Sequence, residues 1–281
     1  MLQGTGAVLA AFGLSSVTGR ASTVAAQAHG VEQAIADTKQ SNKPIIVLTH
    51  GAWADGSGWA KVIAGLQDDG YTVVAPPVGL GSLSTDIAAV RKVIVGLQAS
   101  VLLVGHSYGG AVVTGAASGL AVVKGLVYLA AFAPDTGESL LSLSTQFGQQ
   151  YGPTPSAQYL RPDGPLDDPQ TVIYLDRAHF GEVFVHDIDP ARAAVLAAAQ
   201  RPLGVGAFAE PLPVPPAWRQ IRSWYQVSKQ DRSIQPNAER WMARRIGAET
   251  IELDTSHLAL FSRPQAIVKL IERAAHTVTN G

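Results

Sequence analysis

The chain has 281 residues, of which 47% are hydrophobic, and its 21 Lys and Arg residues nearly balance its 22 Asp and Glu residues. This balance leaves no net field that would attract nucleic acid or an anionic membrane, and it favours a small neutral partner. The chain has no cysteine, which excludes disulfide frameworks, thiolate metal sites and cysteine nucleophiles.

Residues 1–30 consist mostly of small and apolar side chains, and the Ala-Gln-Ala that ends at Ala28 has the form of a signal-peptidase site. No Lys or Arg precedes Arg20, so the charged segment that normally opens a signal peptide is missing. We expect an export-signal remnant and a periplasmic or secreted protein; the alternative is a disordered extension on a cytoplasmic one. No other apolar run reaches about 18 residues, so no membrane span is expected.

From residue 44 onward, short β-branched runs alternate with longer helical stretches. Strands are predicted at residues 44–49, 71–75, 101–105, 125–131, 223–228 and 249–253. Helices are predicted near residues 57–69, 83–97, 108–119, 236–246 and 264–275. Because the strand candidates are hydrophobic throughout, both faces of the sheet should be covered. The pattern predicts an α/β fold with a mainly parallel six-stranded sheet flanked by helices.

The alternation is interrupted between Pro134 and Ala217, in a stretch that holds most of the prolines. This stretch contains helical pieces such as "PARAAVLAAAQ" and no good strand candidate. We therefore predict a mostly helical cap at residues 135–217, inserted after the fourth strand. The core would then comprise residues 31–134 and 218–281.

A Gly-x-Ser-x-Gly pattern at residues 105–109 joins a buried strand directly to an Ala- and Gly-rich helix. This context is typical of a nucleophile elbow, whose sharp turn leaves no room for side chains two positions either side of the serine. The turn would lift the Ser107 hydroxyl above the carboxyl ends of the strands. The alternative is a glycine-rich turn with an incidental serine.

A serine hydroxyl needs a base to accept its proton, and in this setting the chain order should be serine, acid, histidine. Only His257 follows a late strand, in the loop before the last helix, and it is the predicted base. The other histidines beyond Ser107 are in poorer contexts: His179, His186 and His276.

The predicted acid is Asp231, a few residues past the strand that follows the insertion. Asp135 is its rival, because the loop after the preceding strand also emerges at the same edge of the sheet. Asp254 is too close to His257 in sequence to orient it easily. Chain order and loop position favour Asp231.

An oxyanion hole needs two backbone N–H groups, one from the residue after the nucleophile and one from the loop after the first strand. These are predicted to be Tyr108 and Ala52. His50 and His106 flank glycines within the two turns and are interpreted as packing residues.

The segments "HGAW", "GHSYGG", "FAPD", "SWYQVSKQDRSIQP" and "SHLALFSRP" resemble the α/β-hydrolase superfamily. More narrowly, they are similar to its small carboxylesterases related to plant methyl-esterases and hydroxynitrile lyases. The resemblance spans residues 44–275 and implies a cap after the fourth strand of the sheet. The lyases carry a lysine directly after the histidine and a threonine in the first loop. Here these positions are Leu258 and Ala52, which argues against cyanohydrin cleavage.

The sequence therefore predicts a serine esterase that acts on a small neutral carboxylic ester. A receptor-like binding protein and a lyase, perhydrolase or cofactor-free oxygenase are the alternatives. No metal or cofactor is expected, and the sequence leaves open whether the chain forms a homodimer. The substrate-binding side chains are predicted to be Trp53, Phe132, Phe180 and Phe184.

Overall fold

The computed structural model describes residues 43–280, and the predicted export signal at residues 1–30 lies outside this range. The strands are β1 (Ile45–Thr49), β2 (Val73–Val74), β3 (Val101–His106), β4 (Val123–Leu129), β5 (Leu160–Pro162), β6 (Val172–Leu175), β7 (Leu203–Gly204), β8 (Ser223–Ser228) and β9 (Glu249–Leu253). The α-helices are α1 (Ala60–Asp68), α2 (Leu83–Leu97), α3 (Tyr108–Ala116), α4 (Leu140–Tyr151), α5 (Phe180–Phe184), α6 (Pro190–Ala199), α7 (Val205–Ala209), α8 (Pro236–Arg245), α9 (Ala259–Ser262) and α10 (Pro264–Asn280).

Six strands form one sheet in the order β2-β1-β3-β4-β8-β9, and every neighbouring pair is parallel. The predicted six-stranded parallel sheet is therefore confirmed. Strand β3 illustrates why the predicted strands are hydrophobic throughout. Val101 and Leu103 pack into the core on one face, and Leu102 and Val104 pack into the core on the other. Because both faces are buried, no polar alternation is left in the sequence.

Helices cover both faces of the sheet. Val90 of α2, Val112 of α3 and Met242 of α8 belong to the core on one face, and Leu66 of α1 and Ile271 of α10 belong to the core on the other. Within residues 43–280, no helix combines the length and the apolar character that a bilayer span requires.

Local capping explains why the bounds of α2 match the predicted helix at residues 83–97. The Ser82 hydroxyl accepts a hydrogen bond from the Thr85 N–H at 3.3 Å, so the helix begins immediately after Ser82. At the other end Gln98 adopts a left-handed conformation with φ of 49°, which stops the helix.

The centre of the sheet contains the crevice at which function is expected. Thr49 at the end of β1 pairs with Gly105 of β3, and the sheet grows outward from these two strands in opposite directions. Loops that leave two such neighbouring strands diverge, and ligands of open α/β sheets bind between them. The loops that follow β1 and β3 therefore border the crevice.

The segment between β4 and β8 contains a separate three-stranded antiparallel sheet, β5-β6-β7, beside helices α4 to α7. The expectation that this segment contains no strand is wrong. Its strands are two to four residues long and one of them ends at Pro162, so periodicity could not distinguish them from loops.

Hydrogen bonds fasten this segment onto the core loops that follow β1 and β2. The Trp53 indole N–H donates to the Ile173 carbonyl oxygen at 2.9 Å. The Gly204 N–H donates to the Leu80 carbonyl oxygen at 2.7 Å. The segment is thereby held at the edge of the sheet where the carboxyl ends of the strands lie.

Strand β4 lies two residues earlier in the chain than predicted, at Val123–Leu129 in place of residues 125–131. It ends where Ala130 adopts a φ of 42°, which an extended strand cannot contain. The apolar run continues through Ala131 and Phe132, so composition alone did not indicate this stop.

Candidate active site

Ser107 lies at the sharp turn between β3 and α3. Its φ of 54° and ψ of −123° are outside the regions that L-residues favour, so the surrounding packing holds the turn under strain. A Cβ atom at Gly105 would lie 2.6 Å from the Gly109 carbonyl oxygen, and a Cβ atom at Gly51 would lie 2.6 Å from Ser107 Cβ. Glycine is therefore required at 105 and 51 for strand, loop and helix to approach the serine this closely.

Asp231 and His257 form a buried pair, with 0% of the aspartate side chain and 1% of the histidine side chain exposed. The His257 Nδ1–H donates to Asp231 Oδ2. The other carboxylate oxygen accepts the N–H groups of Ser233 at 2.6 Å and Ile234 at 2.9 Å. With Nδ1–H directed at Asp231, Nε2 is the ring nitrogen left to accept a proton, and it has no hydrogen-bond partner among the described residues, the Ser107 hydroxyl included.

His106 connects the serine turn to the histidine loop. Its Nε2–H donates to the His257 carbonyl oxygen at 3.0 Å, and the two rings lie 4.8 Å apart between centroids. Burial holds the pKa of His106 well below its ordinary value, so the ring is neutral. His106 therefore acts in packing and connects the residue before Ser107 to the loop that carries the base.

The rival acids do not reach His257. Asp135 forms an ion pair with Arg219, with Nη2 and Oδ2 2.6 Å apart. Asp254 has a 64% exposed side chain and accepts a hydrogen bond from the Gln230 amide at 2.9 Å. Of the candidate acids, the structure brings only Asp231 to the histidine.

Two of the remaining histidines lie in the inserted segment with partners of their own. His179 contacts Asp176, with Nδ1 and Oδ1 3.1 Å apart, and its ring stacks on Tyr159. His186 Nε2 lies 3.4 Å from Gln230 Oε1. Across residues 43–280, no group of three or more His, Cys, Asp or Glu side chains is arranged to hold a metal ion.

The N–H groups of Ala52 and Tyr108 have no hydrogen-bond acceptor within residues 43–280. Tyr108 is the first residue of α3, where a helix N–H lacks an intrahelical partner. Its side chain points into the core, where the hydroxyl donates to Asp86 Oδ2 at 2.7 Å. Burial and the Asp86 carboxylate raise the pKa of Tyr108 well above its ordinary value, so the hydroxyl remains a donor. Among the described residues, both N–H groups are therefore without an acceptor.

This protein can be compared with known families by its strand order, its strained serine turn and its Asp-His pair. A model of the alpha/beta hydrolase family matches residues 46–270, from β1 into α10. The chain belongs to the alpha/beta hydrolase family. The fold of this α/β hydrolase is thus the one that its sequence motifs predicted.

Among relatives of this α/β hydrolase is the carbendazim hydrolyzing esterase of Nocardioides sp. (strain SG-4G), 37% identical over 127 residues, which are 41% of this chain and 51% of the relative. A chloroplastic protein of Arabidopsis thaliana that carries the name methylesterase 11 is 25% identical over 242 residues, 80% of this chain and 62% of the relative. The chain thus spans less than two thirds of either relative. The crystal structure of polyneuridine aldehyde esterase matches with a TM-score of 0.71 at 17% identity, covering 82% of this chain and 98% of that one. The predicted relationship to plant methylesterases is confirmed.

The inserted segment of this α/β hydrolase holds the histidine loop through Asp187, a residue that sequence analysis missed. The Asp187 carboxylate accepts the Ser256 N–H at 3.0 Å and the Ser256 hydroxyl at 2.5 Å, immediately before His257. Partial burial raises the pKa of Asp187, but hydrogen bonds, first among them the one from the Ser256 hydroxyl, together outweigh burial and bring the pKa below its ordinary value. No sequence motif marks Asp187, because its partner lies 69 positions away.

Three of the predicted substrate-binding side chains lie together beside His257. The Trp53 and Phe184 rings meet edge to face with centroids 5.5 Å apart, and the Phe180 and Phe184 centroids are 5.0 Å apart. Phe184 also lies 5.0 Å from the His257 ring. These aromatic residues border a small cavity of about 40 Å³.

Phe132 lies apart from the other three, at a second cavity of about 160 Å³. This cavity lies between the loop after β4, helix α4 and the loop that carries Asp231, and its lining includes Phe147 and Ile234. The Phe132 N–H donates to the Ser107 carbonyl oxygen at 3.1 Å. One lining residue of this cavity therefore contacts the backbone of the serine. Within residues 43–280, no charged side chain lines the cavity.

Proposed function

We propose that this α/β hydrolase is a serine esterase that cleaves a small neutral carboxylic ester through an acyl-enzyme intermediate. The observation that carries the proposal is the buried Asp231-His257 pair. It fixes the imidazole with Nδ1 protonated and leaves Nε2 without a partner among the described residues, while His106, the residue before the strained turn at Ser107, contacts the His257 ring. This is the tautomer that a general base needs.

In the first half of the reaction, Ser107 Oγ attacks the ester carbonyl carbon while His257 Nε2 accepts the hydroxyl proton. The Asp231 carboxylate stabilises the imidazolium that forms. The carbonyl oxygen becomes an oxyanion, which the N–H groups of Ala52 and Tyr108 bind. Collapse of this intermediate breaks the bond to the alcohol oxygen, and the alcohol leaves with the proton from His257.

In the second half, water attacks the acyl group on Ser107 and gives its proton to His257. The same two N–H groups bind the second oxyanion, and the acid leaves as Ser107 regains its proton. General base catalysis contributes about 10² to 10⁴-fold to such reactions, and a single oxyanion donor about 10² to 10³-fold.

The larger cavity supports an ester with one apolar or aromatic group. It measures about 160 Å³, and Phe132, Phe147 and Ile234 are among its lining residues. The side chains of residues 43–280 that line it are apolar or uncharged, which supports a neutral substrate, because an ionised group would be desolvated there without a partner. The names of the two relatives, a carbendazim hydrolyzing esterase and a methylesterase, also support ester hydrolysis.

A fluorophosphonate probe tests the nucleophile directly, because it phosphonylates an activated serine oxygen and releases fluoride. We expect one adduct per chain, located by mass spectrometry in the peptide that contains Ser107. The Ser107→Ala variant is the control and should remain unlabelled. Labelling at another residue, or none in an active preparation, would contradict the proposed mechanism.

Filling the larger cavity tests the substrate class. Gly148 lies in α4 at this cavity, and a Cβ atom there would meet no atom within 4 Å. We expect Gly148→Leu to lower kcat/KM for an ester with an aromatic group about tenfold more than for the matching acetate, because the added side chain occupies the aromatic site. Gly96→Leu is the matched control, since Gly96 is a helical glycine with equally open space in α2. Equal effects on both esters would place the aromatic group elsewhere.

A further inference from the structure

Glu239 is a buried carboxyl group that the proposed mechanism does not use. It lies in the first turn of α8, just after the loop that carries Asp231, and it is 0% exposed. Its Oε2 accepts the Ser228 N–H at 3.0 Å, whereas Oε1 is buried and receives no hydrogen bond from any donor among the described residues. Glutamate is almost never fully buried without a partner, so this oxygen needs an explanation.

The Asp231 carboxylate is the group that Glu239 faces, and the two side chains lie within hydrogen-bond reach. The neighbouring cation on α8, Arg240, donates from Nε and Nη2 to the Glu252 carboxylate at 2.8 and 2.7 Å. From β8, the titratable neighbour is the Tyr225 hydroxyl, which burial keeps neutral by raising the pKa of Tyr225. No ion pair to Glu239 occurs within residues 43–280, and the attraction of Arg240 lowers the pKa of Glu239 less than burial and the Asp231 charge raise it.

Two carboxyl groups this close in a buried site cannot both be ionised, and the hydrogen bonds decide which one is charged. Asp231 accepts three hydrogen bonds, from the N–H groups of Ser233 and Ile234 and from His257 Nδ1–H, whereas Glu239 accepts one. The negative charge therefore belongs to Asp231. Burial raises the pKa of Glu239 well above its ordinary value, and the Asp231 charge raises it further.

We propose that Glu239 is a positioning residue of this site: a protonated carboxylic acid whose Oε1–H donates a hydrogen bond to the Asp231 carboxylate. This inference rests on the proposed function, in which Asp231 orients the catalytic base. The fourth hydrogen bond would fix the plane of the Asp231 carboxylate with Oδ2 toward His257. It would also draw negative charge away from His257 and so limit how strongly Asp231 stabilises the imidazolium.

Two substitutions of Glu239 distinguish a role as hydrogen-bond donor from a purely structural role. In Glu239→Gln the amide oxygen can accept the Ser228 N–H and the NH₂ group can donate to Asp231, so kcat and the pH profile should stay within about twofold of the parent. Glu239→Leu has no donor. Its kcat should fall about tenfold, and the acidic limb of kcat/KM should move up by about half a pH unit, because the more negative Asp231 holds the imidazolium proton longer. An unchanged profile in Glu239→Leu, or equal losses in both variants, would overturn the proposal.

Stability against pH gives a second test that needs no turnover, so it stands even if ester hydrolysis is not found. Above a pH of about 4.3 the unfolded chain releases the Glu239 proton while the folded chain keeps it, so folding becomes less favourable as pH rises toward the raised folded pKa. Glu239→Gln has no such proton to keep. The difference in thermal midpoint between Glu239→Gln and the parent should therefore increase, in favour of the variant, by about 3 °C or more from pH 5 to pH 8.

Glu182→Gln is the control for the stability test, because Glu182 has an exposed side chain. Its difference from the parent should stay nearly constant between pH 5 and pH 8. A constant difference for Glu239→Gln as well would mean that Glu239 is ionised in the folded protein, and it would overturn the proposal even if both variants fold and turn over substrate.

Discussion

Replacing Ser107 with alanine should lower kcat for a short p-nitrophenyl ester by about 10⁵ to 10⁶-fold. The variant has no oxygen to attack the ester carbonyl, and His257 has no hydroxyl to activate. What remains is the binding of the substrate and the oxyanion donors of Ala52 and Tyr108, which favour attack by water only weakly. Steady-state kinetics over a range of enzyme concentrations measure the loss.

Two controls show whether the loss of activity comes from the Ser107 hydroxyl or from a change in the fold. The far-ultraviolet circular dichroism spectrum and the thermal midpoint of Ser107→Ala should match those of the parent, because the side chain loses a single oxygen at a turn. Ser118→Ala, beyond the other end of α3, should retain full activity. Hydrolysis by Ser107→Ala at the parent rate would disprove the serine mechanism.

Replacing Asp231 with asparagine should lower kcat by about 10⁴-fold with little change in fold. The amide oxygen can still accept the N–H groups of Ser233 and Ile234, which turns the NH₂ group toward His257. Nδ1 must then accept a hydrogen bond, so the ring proton moves to Nε2. A histidine protonated at Nε2 cannot take the proton of Ser107, and the base is lost although every side chain keeps its position.

The rival aspartates provide matched controls for this second prediction. Asp135→Asn removes the charge that pairs with Arg219, and Asp254→Asn removes an exposed charge. Both variants should keep kcat within about threefold of the parent, because neither side chain contacts His257 and surface charges contribute little. A large loss in Asp135→Asn with a small one in Asp231→Asn would reverse the assignment of the acid.

The proposed role of Glu239 affects the activity expected of Asp231→Asn. If Asp231 and Glu239 share one proton, Asp231→Asn also removes the charge that, together with burial, raises the pKa of Glu239. Glu239 could then ionise and supply a new negative charge close to the histidine. The double variant Asp231→Asn with Glu239→Gln excludes this compensation, and its residual activity is the cleaner measure of what Asp231 contributes.

Several features of this protein were determined by local sequence alone. The buried strands appear as continuous hydrophobic runs because helices cover both faces of the sheet, and α2 begins where the Ser82 side chain caps it. Ser107 was identifiable because the glycines around it are sterically required by its turn. The predicted export signal stays a prediction, since residues 1–30 lie outside the described range.

The acid and the groups around it depend on how distant segments meet. Asp231 and Asp135 both follow strands of the same sheet, and the contacts of their side chains, with His257 and with Arg219, distinguish them only in three dimensions. Asp187 and Glu239 carry no motif, because each acts on a residue that only folding brings near.

The grouping of the predicted substrate-binding side chains also depends on how distant segments meet. Sequence analysis grouped four aromatic residues by type, but Phe132 lines one cavity while Trp53, Phe180 and Phe184 line another. Periodicity and turn chemistry are properties of neighbouring residues, so the sequence by itself determined the strands, the helices and the serine turn. Strand order and burial bring residues far apart in the chain together, so only the tertiary structure decided which carboxylate pairs with the histidine and which aromatic side chains share a cavity.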